Sequence, residues 1–172
     1  MKKILVFIIV TLCGAVNVSA QETDSLLSPP LVARVDSLAS KLNELQRDYD
    51  YLYCSHEISC AGHEIKALTA EFSSKSSFLL ISSYHGSFNR ESYDTSRDYY
   101  DVCENLLEVM QTNVDKKQEL IAAKISVCDF SEREVDYLNT QSVMLDLYLE
   151  QARSALQLYK EALNVYYISR NL

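Results

Sequence analysis

The chain of 172 residues carries 16 Lys+Arg against 24 Asp+Glu, a net charge of −8, with 3 Gly, 2 Pro, 5 Cys, 12 Tyr and no Trp. That acidity excludes a nucleic-acid-binding domain, which needs a basic footprint to displace counterions, and the scarcity of Gly and Pro excludes a turn-rich β-sandwich or a glycine-rich phosphate loop. An apolar fraction of 48% is that of a folded chain and too high for general disorder.

The first twenty residues have the three parts of a secretory signal peptide: basic Met1-Lys2-Lys3, an apolar run from Ile4 to Val16 broken by Thr11, and small residues at Val18-Ser19-Ala20. The run is shorter than the ~20 residues a membrane span requires. Cys13 follows Val10-Thr11-Leu12, which lacks the small residues of a lipidation site. Cleavage after Ala20 and export to the periplasm or the exterior of a bacterial cell are therefore expected. The mature chain loses two lysines and no acid, so its charge moves from −8 to −10. It also loses Cys13 and keeps Cys54, Cys60, Cys103 and Cys128, an even set that reads as two disulfides in an exported protein. The expected organisation is a signal peptide over 1–20, a flexible polar segment over 21–28, and a single helical-bundle domain over 29–172.

Ser28-Pro29-Pro30 opens the first helix, with Ser as N-cap and Pro in the first turn. Val35, Leu38, Leu42, Leu45, Tyr49 and Leu52 then recur at spacings of three and four, a heptad seam whose flanks carry Arg34, Asp36, Lys41, Glu44 and Arg47. The phase slips before Ile58 and resumes as Ile58, Ala61, Ile65, Leu68, Phe72 and Leu79. Gly62 lies within the slip, so 54–62 reads as a turn or a kink. Gly86 is the expected left-handed stop. The next helix presents Tyr100, Cys103, Leu107, Met110, Val114, Ile121, Ile125 and Cys128 on one face. Asp129-Phe130 breaks it, and Ser131-Glu132-Arg133-Glu134 is a capping box. The last helix carries a seam of Val135, Leu138, Leu145, Leu149, Ala152, Leu156, Tyr159, Leu163 and Tyr166, with Ser142 its polar member.

Short connections between long helices imply antiparallel neighbours. The fold class is all-α: an elongated antiparallel bundle of three heptad-patterned strands, the first interrupted near 54–62. A four-helix up-down bundle is the alternative. The signal segment and helix pattern resemble those of small exported helical-bundle proteins of Gram-negative bacteria, a resemblance that implies no site residues.

Chemistry-bearing residues are few. Counting along a compact bundle favours Cys60–Cys128 with Cys54–Cys103 as the bridges, whereas counting from the Gly86 turn places Cys103 opposite about residue 69. His56, Cys60 and His63 stand at i, i+4 and i+7 and would line one face of a continuous helix as a partial zinc site. Tyr51, Tyr53 and Tyr167 fall off the seams and are candidate partner contacts. The serines between 73 and 87 leave the middle of the chain small and polar. No Gly-x-Ser-x-Gly or Ser-x-x-Lys occurs, and no catalytic residues or cofactor are expected. The function expected is a non-enzymatic protein-interaction or structural module. Its partner would be a protein, or a second copy in a homo-oligomer, with no nucleic acid and no membrane span after cleavage. A metal or small-ligand protein centred on 54–64, or an acidic immunity-type inhibitor steered to a basic partner, are the alternatives.

Overall fold

The computed structural model describes residues 29–171. The expected signal peptide, its cleavage site and the polar segment 21–28 lie outside the described residues. Three helices follow in order, α1 (Pro29–Tyr84), α2 (Arg90–Val127) and α3 (Glu132–Ile168), with a closing 3-10 turn at Ser169–Asn171. There is no strand among the described residues, and none of their helices is long and apolar enough to cross a membrane.

Local chemistry sets the helix ends. Gly86 adopts φ +64°, and the Gly86 and Ser87 amides donate back to the Ser83 and Ser82 carbonyls at 3.1 and 3.0 Å, closing the last turn of α1 where a Cβ would be strained. Asn89 caps α2, its side chain accepting from the Ser92 amide at 2.9 Å. Ser131 caps α3 in a complete capping box: the Glu134 amide donates to Ser131 Oγ, and the Ser131 amide donates to Glu134 Oε2 at 2.8 Å.

The chain divides into two compact units at the Gln46–Arg47 boundary. The described part of the first, residues 29–46, is a single helical segment. Its Val35, Leu38, Leu42 and Leu45 are 56–67% exposed, where the heptad pattern leads one to expect burial.

The second unit is a three-helix bundle. Across α1 and α2, Tyr99 donates to Glu71, Lys117 pairs with Glu57, and Lys124 pairs with Asp50 at 2.8 Å. Residue numbers rise on one helix as they fall on the other, so the two are antiparallel. Across α2 and α3, Tyr159 Oη donates to the Ser96 carbonyl at 2.8 Å and Gln118 donates to Asp146 at 3.0 Å, again antiparallel. Between α1 and α3, Tyr51 meets Tyr137 and Lys66 sits over Tyr148, which is the parallel relation that two reversals require. Ile65, Phe72, Leu79, Ile121, Leu138, Leu145, Leu149, Tyr159 and Tyr166 are the largest fully buried apolar side chains.

The interruption of the first strand and the burial of its whole heptad seam need correction here. The stretch 54–62 is neither turn nor break, because α1 is helical from Pro29 to Tyr84. The bundle accordingly has the three helices of the main expectation, and the four-helix alternative falls. Gly62 is buried, and a Cβ there would stand 3.5 Å from Tyr148 Cε2 and 3.6 Å from Leu145 Cδ2. The glycine faces α3 from inside the helix instead of ending it, and a Cβ there would be at ordinary contact distance. Tyr49 and Leu52 are also exposed, while Asp50, Cys54, Ile58, Ala61 and Ile65 are buried. The phase slip is thus a change of face within an unbroken helix. In the serine-rich stretch Ser73, Ser76, Ser77 and Ser83 donate their hydroxyls to carbonyls one turn earlier at 2.8–2.9 Å, which satisfies them within the helix.

Candidate functional site

The cysteines separate into three environments. Cys54 lies one helical turn beyond Asp50 on α1 and is fully buried. Cys128, at the end of α2, donates its thiol to Asp50 Oδ2 at 3.6 Å. Lys124 holds the other Asp50 oxygen. Burial raises the Cys54 thiol pKa, with Lys124 opposing and Asp50 and Cys128 adding to the rise. Burial beside Asp50 raises Cys128 as well. The Asp50 carboxylate in turn holds Lys124 above the ordinary lysine value.

Cys103 belongs to a different level, with Tyr99, Glu71 and Lys75 around it, and burial raises its thiol pKa too. Glu71 is 17 residues beyond Cys54 on α1, about 25 Å along a helix at ~1.5 Å per residue. A disulfide needs Cα atoms within ~7 Å, so the expected Cys54–Cys103 pairing does not fit. The count from the Gly86 turn, which set Cys103 opposite about residue 69, lands within one turn of Glu71. Cys60 is half-buried, its Sγ 3.4 Å from His56 Nε2, while Cys128 sits with Asp50 and Cys54. All four are free thiols in the structure.

The expected metal triad does not converge. His56 meets Cys60, but His63 turns back to its own helix, its Nδ1 2.7 Å from the Ser59 carbonyl oxygen. Among the described residues no group of three or more His, Cys, Asp or Glu side chains is placed to hold a metal ion.

Two of the three candidate contact tyrosines are internal braces. Tyr51 is half-buried against Phe130 and Tyr137, with ring centroids 6.1 and 6.4 Å away. Tyr167 packs on Tyr93 at 5.0 Å and carries Arg170 over its ring at 3.6 Å. Only Tyr53 of the three stays exposed, stacked on Tyr49 at 6.3 Å. Sequence position off the seam missed this because the helix ends wrap aromatics around one another, and periodicity carries no signal for that.

A groove of about 360 Å³ runs between α2 and α3, lined by Tyr100, Glu104, Leu107, Gln111, Arg153 and Leu156 among others. Several of its polar groups have partners. Tyr100 Oη donates to Glu104 at 3.0 Å, and Arg153 reaches Glu150 and Gln111. Burial and Glu104 push the Tyr100 hydroxyl up to about 12, so it is neutral at physiological pH. The groove thus presents the carboxylates of Glu104 and Glu108 and the Arg153 guanidinium beside an apolar floor of Leu107 and Leu156.

What remains outward-facing and patterned is the first unit. Leu31, Val35, Leu38, Leu42 and Leu45 repeat at three- and four-residue spacing on one face, and all are exposed. Contiguous exposed apolar surface of this kind marks an interaction site. No protein-family model, curated protein or solved structure matches this chain.

Proposed function

We propose that the protein is an exported, non-enzymatic protein-interaction module whose docking face is the apolar stripe of its first unit. The observation that carries this reading is the exposure of Val35, Leu38, Leu42 and Leu45 in strict heptad spacing. A heptad stripe is the pattern by which helices bury one another, and a soluble chain gains nothing by leaving it open unless something covers it. The bundle of the second unit would then be the scaffold that carries this helix. Export supports a disulfide between Cys54 and Cys128, the two thiols gathered at Asp50, and such a bridge would tie α1 to the end of α2.

The test is site-specific photo-crosslinking in the native cell. A photoreactive residue at Leu38 should yield adducts of discrete mass, and one at exposed Lys116 of α2 should not. Absence of any adduct from position 38 would end the interaction reading.

A further inference from the structure

We propose that the apolar stripe of the first unit binds a second copy of this chain, the two helices running parallel and in register as a two-stranded coiled coil. This rests on the interaction reading above and commits it to one partner.

Three observations lead there. In heptad register Val35 and Leu42 are a positions, and Leu31, Leu38 and Leu45 are d positions. Leucine at every d with β-branched Val35 at one of the two a positions, Leu42 holding the other, is compatible with two parallel strands. The second observation is the charge flanking the seam. The g positions are Arg34 and Lys41, and the e positions are Val32, Ala39 and Gln46. In a parallel pair each g faces the following e of its partner, so Arg34 meets Ala39 and Lys41 meets Gln46, with no like charges opposed. An antiparallel pair sets g against g, which brings cations of this stretch to face one another across the seam, a destabilising contact. The third is local neutrality. Residues 29–46 hold Arg34 and Lys41 against Asp36 and Glu44, although the whole chain stands at −8. Two copies can therefore meet at this segment without the repulsion that the acidic chain imposes elsewhere.

Sedimentation equilibrium of the full exported chain over a wide concentration range tests this. The expected result is a reversible monomer–dimer equilibrium, abolished in Leu38→Glu/Leu42→Glu and retained in Leu106→Glu/Val109→Glu, a control on exposed apolar residues of α2. Thermal unfolding of the bundle should be the same in all of them, which separates lost association from lost folding. Orientation is read from Ala39, which faces Arg34 of the partner only in the parallel form. Ala39→Glu should tighten the dimer severalfold and Ala39→Lys should weaken it severalfold. Equal effects of the two would overturn the parallel arrangement. A monomer at every concentration would overturn the second copy as occupant. If the Leu38 photo-adduct then carries another protein's mass, the interaction reading survives; if no adduct forms, the stripe is covered within its own chain and both fall.

Discussion

Gly62 is an interior helix residue, and its effect on stability has a predictable sign. Glycine inside a helix costs about 0.5–1 kcal/mol relative to alanine. The new Cβ would meet Tyr148 and Leu145 at 3.5–3.6 Å, ordinary contact distance. Gly62→Ala should therefore raise the stability of the bundle by up to about 1 kcal/mol in denaturant titration, whereas a true turn glycine would make the same change destabilising. Ser131 works in the opposite sense. Ser131→Ala removes the capping oxygen of α3 and should cost about 1 kcal/mol. The same box is pH-sensitive. Hydrogen bonds from the Ser131 side chain and backbone hold Glu134 below the ordinary glutamate value. Its stabilisation is complete above the unfolded carboxylate pKa of ~4.3 and is lost as pH falls through the lower folded value. The gap between the unfolding midpoints of wild type and Ser131→Ala should narrow through that acidic window, the Glu134 amide to Ser131 Oγ bond remaining. The thiols are graded as well. In the reduced native protein, mass-mapped alkylation should reach Cys60 while sparing Cys54 and Cys103, which are sealed in the core with raised thiol pKa values.

Each helix carries a legible pattern, but only two of the three reveal their partner. The faces read for α2 and α3 match the buried residues, from Tyr100, Cys103 and Leu107 to Leu138, Leu145 and Tyr166. The capping box and the Gly86 stop were equally plain, because they are local and complete within a few residues. α1 was harder. Heptad spacing says that a face wants covering and is silent on what covers it, so Val35–Leu52 read as core although the buried face runs from Asp50 and Cys54 onward. The pair Asp50–Lys124 was invisible for a related reason: its partners are 74 residues apart, and neither belongs to a local motif. Paired truncations separate the two faces. Leu149→Ala, in a fully buried position, should cost about 2–5 kcal/mol. Leu42→Ala, more than half exposed, should change the unfolding free energy of the dilute protein by less than about 0.5 kcal/mol. Equal costs at both sites would mean that Leu42 is as deeply packed as Leu149.

At the scale of the molecule, α1 buries one apolar face in the bundle core and leaves Val35, Leu38, Leu42 and Leu45 exposed. Function was legible only as a negative in the sequence: no motif for catalysis, no basic footprint, no cofactor loop. The stripe acquired a positive meaning from its exposure. Amide hydrogen exchange at low and high protein concentration tests this most directly. The account predicts slow exchange at both concentrations through the core-facing stretches of α1 beyond Cys54, α2 and α3, and fast exchange over residues 31–45 in dilute protein that becomes slow as the chains associate. Core-like protection of residues 31–45 in the dilute monomer would contradict it.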